Sequence, residues 1–375
     1  MELVNTTPLV VGCTVGTDNH GLDHLLALAK ATYHFDAAGT VWLADVQRPL
    51  IGADEYSGDP GYSATVVESD YALLKPNCDV LLTGSAYTPV GRPASDVVVS
   101  LSVGKMRKSL RVTGHRTWQA GFLGKIEPGP PHPFVREPFS YDTAFGGIDD
   151  FHEDAQKHTS CRQNPVGVGY HKELEQNLML DTPMPNTEEI NDPIREPNGQ
   201  YRPMAFGPLG RGWPQRMQYA GTYGAEWQEN QFPFLPQDFD NRYFQAAPPD
   251  QQIPVIKGGE RVELRNLTES CYCEFQLPRL GIESVVFYLR TGEYLIVPFR
   301  VDTLHLFPDD GLFTLTARAS VPFSDDPQTC SKVIFGRGSR GWVRALESGK
   351  RFVSREQKLM VRRAPAELAA TEDSG

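Results

Sequence analysis

Residues 95–112 read SDVVVSLSVGKMRKSLRV and alternate apolar with other side chains on both sides of a central turn. Every second residue from Val97 to Val103 is apolar, which places these side chains on one face of an extended strand. Gly104 supplies a turn, and the alternation then runs back to Val112. The pattern predicts a β-hairpin with one buried side.

A second hairpin is predicted near the N-terminus, although its first half is ambiguous. Residues 22–35, LDHLLALAKATYHF, carry apolar side chains at spacings that also fit an amphipathic helix. The turn-like residues 36–39 and the strand-like TVWLADV after them fit a hairpin better. We therefore interpret residues 22–35 as a strand, and we expect a further strand from Asp79 to Ala86.

Strand patterns return after residue 251. VVFYLRTGEYLIVPF predicts a hairpin that turns at Thr291-Gly292, and a second hairpin is predicted to turn at residues 309–311. The 34 Gly and 30 Pro of the 375 residues suit many turns and short strands. We predict a mainly β protein, with antiparallel halves that resemble a sandwich or a barrel.

Composition divides the chain into four segments. We predict an N-terminal β domain over residues 1–145, an irregular loop-rich insertion over 146–250 and a C-terminal β portion over 251–325. A basic tail follows over 326–375, in which Ser354 to Gln357 fit a capping box that opens a short helix toward Arg363.

The insertion ends in a long segment rich in proline and aromatic residues. Residues 213–251 read WPQRMQYAGTYGAEWQENQFPFLPQDFDNRYFQAAPPDQ and have no helical or strand period. Such loops are binding surfaces or disordered spacers, and the aromatic density argues for order because these side chains bury enough apolar area to offset the ordering entropy.

Two groups of residues in this segment are candidates for function. The aromatic group is either a docking surface or the packing of the loop onto a sheet, and its candidate partner-binding residues are Trp213, Tyr219, Tyr223, Trp227, Phe239, Arg242 and Tyr243. The second group consists of Asp238, Asp240, Asp250 and Gln251. We expect these residues to organise the loop through hydrogen bonds. A metal site or acid/base chemistry is the alternative for the three carboxylates.

Net charge and cysteine usage narrow the class of protein. A net charge of −11 disfavours general binding to nucleic acid or to anionic membranes. Residues 332–363 hold ten Lys or Arg against two Glu, so this stretch carries +8 and the remainder carries −19. The six cysteines form no C-x-x-C pair, and neither a signal peptide nor an apolar membrane span is evident, so we expect a cytoplasmic protein.

The sequence shows no catalytic or cofactor-binding motif together with the flanking pattern that such a motif requires. Residues 336–341 match G-x-G-x-x-G, but no βαβ pattern surrounds them and fewer than 40 residues follow. We interpret the match as a basic turn. The chain also has no G-x-S-x-G nucleophile elbow. We therefore expect no catalytic residues, no metal and no cofactor.

Several motifs together resemble a known family. They are AGTYxxxW at 220–227, PxLPxDFDxRxFxxAPPDQ at 233–251, GGExVxLxNL at 258–267 and YDTAFGG at 141–147. With further stretches, the similarity covers roughly residues 9–323 in order. The pattern resembles a bacterial domain-of-unknown-function family that is encoded beside type VI secretion clusters, next to VgrG spike and PAAR tip proteins and their toxins.

The resemblance implies a cytoplasmic effector adaptor or chaperone. Such a protein binds a toxin and helps load it onto the secretion spike, without being an enzyme, so its expected partners are a secreted effector and VgrG or PAAR. The chain departs from the family pattern at Gly224, where the family usually has Asp after AGTY. The missing carboxylate weakens a metal or acid/base role for the loop.

Two other hypotheses stay open at this point. A carbohydrate-active or other hydrolytic β-protein would place Asp238, Asp240 and Asp250 around a cleft. A structural component of the spike or baseplate would instead assemble stably and leave the cell with the spike.

Overall fold

The computed structural model describes residues 1–323 and 330–336, together with four positions between 344 and 350. The protein is 41% strand and 11% helical, with short helical turns included. The helix predicted toward Arg363 lies outside the described residues, as do most of the basic tail and most of the G-x-G-x-x-G match.

The strands follow one another in short spans. In chain order they begin with β1 (Glu2–Asn5), β2 (Val10–Thr17), β3 (Asp23–Phe35), β4 (Val41–Leu43), β5 (Glu55–Tyr56), β6 (Thr65–Val67), β7 (Cys78–Leu82), β8 (Gly84–Tyr87), β9 (Asp96–Val103) and β10 (Met106–Thr113). The insertion and its borders contribute β11 (Trp118–Ala120), β12 (Ile126–Pro128), β13 (Arg136–Phe139), β14 (Phe145–Gly146), β15 (Ile148–Asp149), β16 (Thr159–Ser160), β17 (Val168–Gly169) and β18 (Thr187–Glu188). The last strands are β19 (Gln252–Ile253), β20 (Arg261–Arg265), β21 (Tyr272–Gln276), β22 (Ser284–Leu289), β23 (Tyr294–Pro298), β24 (Arg300–Phe307), β25 (Leu312–Phe323) and β26 (Cys330–Phe335).

A seven-stranded sheet forms the largest layer. Its order is β19-β7-β24-β25-β3-β2, with β4 added beside the end of β3. The strand interpretation of residues 22–35 is confirmed, because β3 pairs with β25 from Asp23 to His34 and with β2 on its other side. Nearly every residue of β3 is buried, since both faces are covered. This double burial explains why the sequence there lacks a clean alternation.

The predicted hairpin of residues 95–112 is also confirmed. β9 and β10 pair antiparallel around Gly104 in a five-stranded sheet of order β18-β10-β9-β20-β21. A four-stranded sheet of order β1-β26-β22-β23 contains the hairpin that turns near Gly292.

The three large sheets share one apolar core. Phe275 of the five-stranded sheet packs against both Phe35 and Phe313 of the seven-stranded sheet, with ring centroids 4.7 and 5.4 Å apart. Phe287 of the four-stranded sheet belongs to the same buried cluster. The mainly β prediction is therefore confirmed. Within the described ranges no sheet closes into a barrel.

Two features differ from a simple pair of antiparallel halves. β7 pairs with β24 in parallel, as do β1 with β26 and β14 with β17. Parallel partners need a long connection, and more than 200 residues separate β7 from β24. Strands from residues 1–145 and from 251–325 lie side by side in the seven-stranded and five-stranded sheets, whereas β1 of the four-stranded sheet pairs with β26 from residues 330–335. The four-segment division of the chain stays a prediction.

Residues 146–250, the predicted insertion, contain three short α-helices. They are α1 (Gln176–Met179), α2 (Pro214–Met217) and α3 (Ala225–Asn230), and the last two fall inside the 213–251 segment. No helix in the described part of the chain has the length and apolar character needed to cross a membrane.

A histidine is buried inside the seven-stranded sheet. His305 on β24 is 4% exposed, stacks on Phe307 and shares a hydrogen bond with the Thr83 hydroxyl at 2.9 Å. Burial, with the positive charges of Lys30 and Arg48 nearby, lowers its pKa from 6.5 to about 3. The folded protein therefore holds this imidazole neutral at neutral and mildly acidic pH.

The buried imidazole predicts acid sensitivity of the fold. Between pH 6.5 and about pH 3 the unfolded chain binds a proton at residue 305 that the folded chain does not bind. The contribution of this group to the free energy of unfolding is therefore constant above pH 6.5 and becomes increasingly unfavourable to the fold as the pH drops toward 3. His305→Gln removes the titration, and its loss of unfolding free energy from pH 7 to pH 5 should be smaller than the wild type's by about 2 kcal/mol. Urea unfolding at both pH values measures this. The exposed control His20→Gln should behave like the wild type, and an equal loss in His305→Gln would contradict the assignment.

Candidate functional site

The 213–251 segment has two buried ends and an exposed middle. We call Gln245–Gln251 the anchor and Thr222–Phe239 the aromatic tip. The anchor runs along β7 and continues into β19, which pairs with β7. The tip stands over the turn between β2 and β3.

The anchor is fixed by one fully buried carboxylate. Asp79 on β7 accepts hydrogen bonds from the backbone N–H groups of Ala246 and Ala247 at 2.9 and 3.2 Å. Its carboxylate also accepts from the side-chain amide of Gln245 at 2.6 Å and from the Lys75 ammonium at 2.8 Å. Four donors therefore surround a charge that would be costly to bury alone.

Gln251 closes the anchor from the other end and is also fully buried. Its amide donates to the carbonyls of Val80 and Phe206 at 2.7 and 2.9 Å. Its oxygen accepts from Lys108 on β10 at 2.6 Å. Gln251 thus bonds to two sheets and to the insertion.

Asp250, beside Gln251, pairs with cations from elsewhere in the chain. It contacts the Arg202 guanidinium, and its Oδ1 lies 3.6 Å from the Lys108 ammonium. Burial of Lys108 lowers the pKa of that ammonium to about 8, with the nearby Asp250 charge acting in the opposite direction. This carboxylate connects the end of the loop to the sheet instead of facing its neighbours in the loop.

The start of the segment is held by a second buried ion cluster. Arg216 on α2 is almost fully buried and donates to the carbonyls of Tyr243 and Leu209 at 2.9 and 3.0 Å. Its Nη2 atom also lies 2.6 Å from Oε1 of Glu68. The two groups form an ion pair, although the angles are not those of a hydrogen bond. Arg211 pairs with the same carboxylate at 3.0 Å.

Trp213 belongs to this buried start of the segment. Its ring packs edge-on against Tyr141, with centroids 5.1 Å apart, in a small cluster separate from the main core. Of the seven candidate partner-binding residues, Trp213 is the one that is buried.

The aromatic tip is built around Trp227 on α3. Its ring packs edge-to-face with Tyr223 and Phe232, at centroid distances of 4.8 and 5.5 Å, and its indole N–H donates to the Phe234 carbonyl. Tyr223, Phe232 and Phe234 are exposed, although each touches a neighbour in the loop. The group is ordered by its own contacts and still presents a large apolar surface to solvent.

The turn between β2 and β3 supports the tip from below. The Asn19 side-chain amide donates to the Gln237 carbonyl at 3.0 Å, and Gln231 donates back to the Asn19 carbonyl at 3.2 Å. Phe234 packs beside Gly21, where a Cβ would be 3.9 Å from its ring. These contacts tie the exposed tip to an end of the largest sheet.

The other candidates, Tyr219, Phe239, Arg242 and Tyr243, lie at the two borders of the tip. Phe239, Tyr243 and Phe244 pack edge-to-face with one another and are half-buried. Arg242 lies over the Tyr219 ring at 4.3 Å and remains exposed.

Two of the predicted loop-organising carboxylates act locally. Asp238 accepts from the backbone N–H and the hydroxyl of Thr222, and the backbone bond in particular lowers the pKa of the carboxyl. Asp240 accepts from the N–H and the guanidinium of Arg242, whose side chain lowers its pKa. A general acid needs a raised pKa, so neither carboxyl suits that role.

A shallow cavity of about 280 Å³ opens beside Trp227. Glu226, Asn230, Pro236 and Asp238 line it, whereas Asp240 and Asp250 do not. Between Met217 and Asn241 the sequence carries four acidic residues and no Lys, Arg or His. The tip therefore combines aromatic surface with negative charge. Among the described residues, no group of three His, Cys, Asp or Glu is placed to hold a metal ion.

Sequence reasoning missed the residues that hold the loop in place, above all Asp79, Glu68 and Arg216. Asp79 did leave a signal, because it is a lone carboxylate inside the apolar run CDVLL. Glu68 and Arg216 stand in stretches without a period and left none. Asn19 was also not among the candidates.

Comparison with known proteins places the chain in a family. A family model described as an uncharacterized protein conserved in bacteria, DUF2169, matches residues 20–318. The chain belongs to this family. Neither a curated protein nor a solved structure matches it.

The anchor predicts a large effect for one substitution. Asp79→Ala removes the closest carboxylate from the buried Lys75 ammonium and the acceptor of two buried backbone N–H groups, so it should lower the unfolding free energy by about 3–5 kcal/mol. Asp238→Ala, an exposed carboxylate of the same segment, should cost less than about 1 kcal/mol. Urea unfolding followed by tryptophan fluorescence measures both. Equal effects would show that the anchor does not depend on Asp79.

Proposed function

We propose that this protein is a non-enzymatic adaptor that binds a secreted effector through the aromatic tip. The observation that carries the proposal is the contrast within one segment, whose ends are buried and hydrogen-bonded while Tyr223, Phe232 and Phe234 stay exposed. Exposed aromatic side chains on a preorganised support are typical of interface hot spots, because little entropy is lost when they bind.

The motifs that resemble the secretion-associated family coincide with this division. AGTYxxxW and the LPxDFD part form the tip and its border, whereas AAPPDQ forms the anchor. The resemblance supports a role in loading a toxin onto the type VI spike, with VgrG or PAAR as the second partner. The six cysteines are free thiols, which suits the bacterial cytoplasm, where loading would occur.

The tip also defines the chemistry of the partner surface. Its three acidic residues, Glu226, Glu229 and Asp238, and its aromatic rings favour a patch that is apolar at the centre and basic at the rim. The same negative charge, with the net charge of −11, disfavours nucleic acid as the partner.

The hydrolase hypothesis has weaker support. It needs carboxylates that share a cleft, yet Asp238 and Asp240 bond to donors of their own loop and Asp250 pairs with Arg202 and Lys108. A structural role in the spike would be distinguished by finding the protein in secreted material in stoichiometric amounts with VgrG.

A substitution at the tip tests the proposal. Trp227→Ala should weaken binding of the toxin encoded beside this gene by about 2 kcal/mol, roughly thirtyfold in Kd, because it removes the centre of the aromatic group. Tyr223→Ala should act in the same direction. Isothermal titration calorimetry with the purified toxin measures both.

Two control variants sharpen the test. Trp42→Ala removes an exposed tryptophan of β4, outside the loop, and should leave the toxin affinity unchanged. Trp213→Ala removes a buried ring and should lower stability first. Full toxin affinity in folded Trp227→Ala and Tyr223→Ala variants would exclude the tip as the interface.

A further inference from the structure

β23 forms an open edge of the four-stranded sheet. Its residues Tyr294–Pro298 pair with β22, and within the described residues no other strand is hydrogen-bonded to them in a sheet. A strand edge presents unpaired N–H and C=O groups, which template pairing with another strand.

The register shows which backbone groups face outward. The Leu289 N–H donates to the Glu293 carbonyl at 2.8 Å, and the Phe299 N–H donates to the Glu283 carbonyl at 2.9 Å. In an antiparallel pair the hydrogen-bonded positions alternate, so the odd-numbered residues of β23 face β22. The N–H and C=O groups of Tyr294 and Ile296 therefore point to the open edge. Pro298 also points outward, where its missing N–H removes no bond within the sheet.

The side chains of this edge are unusually apolar. Tyr294, Leu295 and Ile296 are 56%, 40% and 61% exposed, and β23 contains no charged residue. Two other sheet edges, β21 and β1, carry charges that discourage pairing. Glu274 of β21 is paired with Arg261, and Glu2 of β1 is paired with Lys332.

We propose that two copies of this chain associate through β23, antiparallel about a twofold axis at Leu295. In this register Tyr294 of each copy lies opposite Ile296 of the other, and both pairs exchange two backbone hydrogen bonds. The two four-stranded sheets then become one continuous sheet, and the same apolar strand covers itself in an isologous contact.

The sequence of β23 favours a second copy in this register. All outward N–H and C=O groups of Tyr294 and Ile296 find partners, and Pro298 lies opposite Gly292, outside the bonded pairs. A register centred on Ile296 would set Pro298 against Tyr294 and lose one hydrogen bond in each half. Glu293, the charged residue next to the strand, lies opposite Val297, so no like charges face each other across the axis.

Sedimentation velocity of the purified full chain tests the association. We expect a dimer whose population rises with concentration up to roughly 100 μM, because the interface is small. Ile296→Lys should weaken the association at least tenfold by placing a charge in the paired edge. Tyr223→Lys, which replaces an exposed apolar residue at the aromatic tip, should leave it unchanged. A wild-type chain that stays monomeric throughout this range would overturn the proposal and leave the edge to another occupant.

A cysteine substitution tests the register even if Ile296→Lys fails to fold. Leu295 lies on the axis, opposite itself, in a non-hydrogen-bonded pair whose Cα atoms are about 4.5 Å apart, a separation that a disulfide can bridge. Oxidised Leu295→Cys should therefore give a covalent dimer on a non-reducing gel. Thr291→Cys, in the hairpin turn, should not. Equal cross-linking of the two variants would exclude this register, and neither result depends on the adaptor function of the tip.

Discussion

The buried carboxylate of Asp79 is the constraint on which the arrangement of this protein depends. It lies within β7, where an isolated charge would cost several kcal/mol of desolvation free energy. The charge is compatible with the fold because Lys75, Gln245 and two backbone N–H groups reach it together. Three of these four donors come from the anchor. The sheet is therefore complete only when the long loop has closed onto it.

Other buried charges extend this dependence through the same region. Lys30 on β3 pairs with Asp70, and Arg318 on β25 pairs with Asp302 and also donates to backbone carbonyls of residues 70 and 72. Such ion pairs add little net stability over apolar packing, but each is strongly destabilising when one partner is removed. The contacts of Lys30 and Arg318 with residues 70 and 72 hold this short stretch against the largest sheet.

How much of the fold and of the candidate site can be predicted from the sequence depends on how far apart in the chain the interacting residues lie. Hairpins were accessible because alternation and a turn are local signals, as in residues 95–112 and around Gly292. β3 was harder, since burial on both faces removes the alternation that marks a strand. The loop shows the limit most clearly. Trp213 and Trp227 look alike in sequence, but Trp213 is buried beside Tyr141 and Trp227 stands at the tip. Their difference depends on Asp79, Glu68 and Asn19, which are more than 130 residues away.

The aromatic tip and the β23 edge differ in their physical basis, and both would affect how strongly an adaptor binds its partner. The tip is polar at its border, acidic overall and fixed by hydrogen bonds, so its aromatic surface is exposed at a defined place. The β23 edge is an unpaired strand edge, and its outward backbone N–H and C=O groups can form hydrogen bonds with another strand. If two chains pair through β23, each dimer carries two tips. A partner with two matching patches, or a spike with repeated subunits, would then bind with an avidity well above that of one tip. A monomer would lack this gain, so the oligomeric state sets how strongly a single weak aromatic contact can hold cargo.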